Sequence, residues 1–102
     1  MTPLRQSQQF EADFTARALH LSQANPSAAL RFIDAVEAAL DLLAQHPAMG
    51  PVWRYGNPQR PTRYLLVPGF RNYLIFYRYE GGEVALGRLM HGAQDLHDVL
   101  GD

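Results

Sequence analysis

The stretch FRNYLIFYRY, Phe70 to Tyr79, decides how the rest of the chain is read. Tyr73 to Tyr77 is apolar or aromatic at every position, and Arg71 and Arg78 flank it. Aromatic, aliphatic and β-branched residues in such a run predict a strand. A strand with one wet face alternates apolar and polar residues, and this one does not. Tyr73, Ile75 and Tyr77 fall on one side and Leu74 and Phe76 on the other. Both faces therefore need cover.

Two further strands lie close by. TRYLLV, Thr62 to Val67, precedes this stretch across the turn PGF, and EVALGRLMH, Glu83 to His91, follows it across EGGE. Gly81 and Gly82 suit a two-residue hairpin turn. The prediction is a three-stranded antiparallel meander. PLRQ, residues 3–6, is a weak candidate for a further edge strand.

The first half has helical periodicity. Ser7 can cap a helix whose stripe is Phe10, Phe14, Ala18 and Leu21. Asn25 and Pro26 can open a second helix, striped by Ala29, Phe32, Ile33, Val36, Leu40 and Leu43, with Asp34, Glu37 and Asp41 opposite. Pro47, Gly50 and Pro51 end it. The tail HGAQDLHDVL reads as a short C-terminal helix or helical turn. The fold class is α+β: a helical hairpin on one face of a small antiparallel sheet. The hairpin covers one face, and the other needs the tail, a second copy or a different protein.

Length and composition narrow the function. The 102 residues make one domain, 1–102. A hydrophobic content of 47% argues against disorder. No apolar run is long enough to span a bilayer, the N-terminus lacks a signal-peptide centre, and there is no cysteine for disulfides or thiolate metal sites. A cytoplasmic protein without membrane contact is expected. The net charge of −1 hides a basic middle. Residues 51–79 hold five arginines and no acid, while the flanking segments are net acidic. Every cation is Arg, which makes planar two-pronged contacts to carboxylates and phosphates. This pattern suggests internal pairing or an acidic partner.

The order NPSAALRFID, LLAQHPAMG, RYLLVPGFRNYLIFYRYEGGEVALGRLMHGAQDL resembles the ParE branch of the RelE/ParE toxin superfamily. The resemblance runs from about Phe10 to Leu96. It implies a helical hairpin on a small antiparallel sheet and a cognate antitoxin whose tail wraps the open sheet face, giving a hetero-oligomer. It implies DNA gyrase as the target, inhibited by binding. The alternatives are a RelE-like endonuclease that cuts mRNA on the ribosome, and a non-toxic binding domain of the same fold. The family pattern HGARDL has Gln94 here in place of Arg.

Site residues follow from this reading. Antitoxin contacts are expected at Arg63, Arg71, Tyr73, Ile75, Tyr77, Arg78 and Arg88. Trp53, Arg54 and Tyr55 are the candidate target contact, since aromatics beside Arg anchor interfaces; they can equally plug the edge of the core. An endonuclease needs a base, a charge stabiliser and an acid, for which Arg63, Arg71, Tyr77 and His91 are the candidates. No defined catalytic spacing stands out, so no catalytic group is expected in the gyrase reading. His91, Asp95 and His97 lack a strong zinc spacing. No metal or cofactor is expected.

Overall fold

The computed structural model describes residues 1–92. The chain runs β1 (Leu4–Gln6), α1 (Gln8–Ala24), α2 (Pro26–Gln45), β2 (Arg63–Val67), β3 (Phe70–Glu80) and β4 (Glu83–His91). The expected C-terminal helix and Gln94 lie outside the described residues.

The helix boundaries follow from side-chain chemistry. Ser7 Oγ accepts the Phe10 N–H, satisfying a donor that the first turn leaves free. Asn25 does two jobs. Its N–H closes α1 on the Leu21 carbonyl, and its side chain accepts the Ala28 N–H to open α2, with Pro26 in the first turn. A one-residue connection forces the helices to return antiparallel. On α2, Ala29, Phe32, Val36, Leu40 and Leu43 are buried, and Phe32 packs against the rings of Phe14, Phe70 and Tyr73. Ile33 is only half-buried. With Leu19 and Leu30, both well exposed, it lines an apolar trough on the outer side of the hairpin.

The sheet order is β1-β4-β3-β2. The meander is antiparallel as expected, with Gly81 and Gly82 both at positive φ in the β3–β4 turn. The edge strand β1 departs from a purely antiparallel sheet, because it pairs with β4 in parallel. Parallel neighbours need a long crossover, and the intervening chain from α1 through β3 supplies one. The sheet is therefore mixed.

A bulge in β4 sets which residues enter the core. Ile75 opposes Leu89 and Phe76 opposes Arg88, but Tyr77 opposes Leu86. Gly87 is the extra residue. It lets Val84, Leu86 and Leu89 share one face despite their uneven spacing. Its carbonyl accepts the Ser7 hydroxyl at 2.9 Å, which joins the start of α1 to the bulge. Nearby, Asp13 accepts from Arg88 Nε at 2.8 Å and from the Leu89 N–H at 3.0 Å.

Tyr77 ties the sheet to the end of α2. Its ring is buried, and its hydroxyl accepts the Gly50 N–H at 3.0 Å and donates to the Pro47 carbonyl at 2.9 Å. Burial raises its pKa above the ordinary 10.0, against smaller lowering effects from the Gly50 N–H and Arg63. The folded state thus holds the phenol proton more tightly than the unfolded chain. This contribution is complete below the unfolded pKa and is lost as pH rises through the folded one. Tyr77→Phe is expected to cost about 1–3 kcal/mol at neutral pH, because it strands the Gly50 N–H. It should also flatten the alkaline fall in stability. Urea melts at neutral and alkaline pH check both, and an unchanged midpoint at neutral pH would contradict this role.

Candidate functional site

The face of the sheet away from the helices carries its own small cluster: Leu74, Phe76 and Met90, flanked by Trp53 and Tyr64. Trp53 arrives from the loop between α2 and β2. Its N–H donates to the Thr62 carbonyl at 2.6 Å, Val52 bridges to Arg63, and the Tyr64 N–H reaches the Pro51 carbonyl. Residues 51–53 thus run beside β2 and bring the indole onto the sheet. Its ring meets Phe76 at 5.4 Å and Tyr64 at 5.6 Å, both edge to face. Such aromatic contacts add about 0.5–1.5 kcal/mol each beyond area burial.

The loop leaves a groove of about 540 Å³ along β3, β4 and β1. Phe76 and Met90 contribute its apolar floor, Trp53 and Thr62 come from the loop, and Arg5 and Gln6 come from β1. Four arginines line it, Arg5, Arg60, Arg78 and Arg88, against one acid, Glu80. Arg88 is held by Asp13, and Arg60 by Glu80. The Glu80 carboxyl lies below its ordinary pKa chiefly because Arg60 hydrogen-bonds it, with Arg78 and Arg5 adding to the effect. An apolar floor under a rim rich in guanidinium groups suits an amphipathic anionic segment.

Of the residues expected from sequence, the groove lining includes Trp53, Arg78 and Arg88, and also Tyr77, whose ring and hydroxyl are nonetheless buried on the helix side. Tyr73, Ile75 and Tyr77 require a correction: they lie beneath the helices, in the main core. The hydroxyl of Tyr77 explains the choice of face, since burying it requires partners and the end of α2 provides two. The side of β3 that faces away from the helices is that of Leu74 and Phe76, buried there beneath Trp53 and Tyr64. Arg63 shares the Tyr77 register and donates to the carbonyls of Ala48 and Gly50, so it braces the loop. Arg71 is exposed near the β2–β3 turn, outside the groove. Trp53 plugs the open-face cluster, whereas Tyr55 is exposed with Arg54 over its ring at 5.1 Å.

The four endonuclease candidates do not converge. His91 opposes Tyr73 and meets its ring at 5.1 Å. Tyr73 is four residues from Tyr77 along β3, roughly 13 Å in a strand. Arg71 lies two residues further still. Among the described residues, no group of three or more His, Cys, Asp or Glu side chains is placed to hold a metal.

Arg5, Arg60, Phe76 and Met90 belong to the site without having been expected there. Phe76 had a signal in the strict alternation of β3. Met90 did not, because the bulge at Gly87 shifts its face, and Arg60 is placed by loop closure alone.

A helical hairpin on one face of a four-stranded mixed sheet, with the other face open, defines the α+β fold of RelE/ParE toxins. The family described as ParE toxin of type II toxin–antitoxin system, parDE, matches residues 4–96. Toxin RelE1 of Caulobacter vibrioides is 36% identical over 83 residues, which cover 80% of this chain and 84% of that protein. A chain of the chromosomal ParDE TA system from P. aeruginosa has the same fold, with a TM-score of 0.73 at 21% identity over 89% of this chain and 96% of that one. The chain belongs to the ParE toxins of type II toxin–antitoxin systems. Among the described residues, no helix is long and apolar enough to cross a membrane.

Proposed function

We propose that this toxin acts in the cytoplasm by binding and inhibiting DNA gyrase, without cutting RNA, and that a cognate antitoxin neutralises it by laying an acidic, amphipathic segment on the open sheet face. One observation carries the choice of mechanism. The side chains that would have to act together in RNA cleavage are dispersed, and the Tyr77 hydroxyl is buried and committed to Gly50 and Pro47. General acid–base catalysis needs its groups within hydrogen-bond reach of one reacting centre. A binding toxin needs only a stable scaffold and an exposed contact. The exposed Arg54–Tyr55 pair, held out by the anchored Trp53, supplies the contact. The structural neighbour comes from a ParDE TA system, which supports the antitoxin partner. Arginines lining the groove around an aromatic floor support its position.

Inducing the gene without its antitoxin tests the target. Gyrase inhibition should give DNA-damage signalling, filamentation and loss of plasmid supercoiling, while protein synthesis continues at first. Immediate translation arrest with mRNA ends in register with codons, and normal supercoiling, would replace this reading with the endonuclease.

A further inference from the structure

Three of the four guanidinium groups that line the groove, Arg5, Arg60 and Arg78, stand near its single carboxylate, Glu80. Arg60 Nε donates to the two Glu80 oxygens at 3.2 and 3.3 Å, and its Nη2 donates to Oε1 at 2.8 Å. Arg78 Nε is 3.5 Å from the Arg60 carbonyl oxygen, so it stands beside the pair, and Arg5 of β1 pairs with Glu83 at the start of β4. The Arg60 and Glu80 side chains remain 61% and 42% exposed. The two partners ride on different supports. Glu80 ends β3 in the hairpin, whereas Arg60 belongs to the loop that carries Trp53.

A solvated ion pair of this kind contributes little to stability, so its carboxylate can be exchanged for another. The geometry of the pair is the two-pronged carboxylate recognition for which Arg is suited. We infer that Glu80 is an internal stand-in for a carboxylate of the antitoxin: when the acidic segment docks, one of its own carboxylates takes Arg60 and Arg78, and Glu80 is displaced. This inference rests on the reading that an acidic segment occupies the open face. Charge complementarity points to the occupant: with Arg5 paired to Glu83 and Arg88 to Asp13, the two remaining groove arginines, Arg60 and Arg78, stand against the one carboxylate of Glu80. Glu80 then serves selectivity. A segment without a well-placed carboxylate gains no replacement for the pair it would break, and it meets Glu80 unrelieved.

The test is calorimetric titration with the full-length antitoxin encoded beside the toxin gene. The titrated variants are Glu80→Gln, Arg60→Gln, Arg78→Gln and the double variant Arg60→Gln/Glu80→Gln. Glu80→Gln should bind about two- to fivefold more tightly than the unmodified toxin, the range set by one exposed ion pair. Most of that gain should vanish in the Arg60→Gln background. Arg60→Gln and Arg78→Gln should each weaken binding. A merely structural Glu80 predicts the opposite sign, because loosening the loop that carries Trp53 would weaken the complex. Unchanged or weaker binding by Glu80→Gln, with both arginine variants impaired, would overturn the stand-in and leave the docking face intact. If neither arginine variant loses affinity, the docking face itself is misplaced and the stand-in falls with it.

Discussion

Replacing Gly50 with alanine is expected to destabilise the domain by about 3–5 kcal/mol, a large share of the roughly 5–15 kcal/mol that stabilises a domain. Gly50 is buried where the loop after α2 meets the sheet. A Cβ there would collide with the Tyr64 carbonyl oxygen and stand 2.8 Å from the Tyr77 hydroxyl. Neither neighbour can yield cheaply. Tyr64 in β2 is paired with Phe76 of β3, and the Tyr77 hydroxyl is fixed by Gly50 and Pro47. Movement of the loop would also strain the Arg63 bond to the Gly50 carbonyl. Urea or thermal melts should show the loss as a marked fall in midpoint. A fall worth under about 1 kcal/mol would mean that the junction relaxes freely, in the manner of an exposed surface substitution.

The second large effect concerns the open face. Trp53→Ala should weaken antitoxin binding by about 30- to 1,000-fold, the range for removing a central aromatic anchor. Trp53 is the only tryptophan in the chain. It joins the loop to Phe76 and Tyr64 and forms part of the groove. Trp53→Phe keeps an aromatic ring in place and should recover much of the affinity, whereas Tyr55→Ala, on the exposed side of the loop, should have little effect on this partner. The chain's single indole also reports occupancy by fluorescence. Full affinity in a folded Trp53→Ala variant would move the antitoxin elsewhere.

The local elements were legible in the sequence because their signals are local. Ser7, Asn25 and Pro26 act on the turns beside them, and Gly81 and Gly82 occupy the positive-φ positions that a tight hairpin demands. The faces of β3 were harder. Both sides are apolar, so alternation separates Tyr73, Ile75 and Tyr77 from Leu74 and Phe76 without saying which set the helices cover. The tyrosines look suited to a surface, yet their hydroxyls can be satisfied inside, and for Tyr77 two backbone groups at the end of α2 do so. Those groups are about 30 residues away in sequence, as the separations of these two bonds record.

The parallel pairing of β1 depends on the same long-range geometry, since Ser7 and Pro3 engage β4 some 80 residues later. The bulge at Gly87 hides in a segment that reads as a plain strand. Its effect is to turn Met90 onto the open face while Leu89 stays in the core. The basic middle of the chain was visible, but its division was not. Arg63 braces a loop, Arg60 and Arg78 face the groove, Arg54 lies over the Tyr55 ring, and Arg71 stands outside the groove.

The most direct test of the proposed action uses purified components: supercoiling of relaxed plasmid by gyrase and ATP, with the toxin added alone or with its antitoxin, and translating ribosomes treated in parallel. The toxin should block supercoiling, the antitoxin should restore it, and mRNA on the ribosomes should stay intact. Unimpeded supercoiling together with codon-positioned breaks in the mRNA would contradict the proposed action.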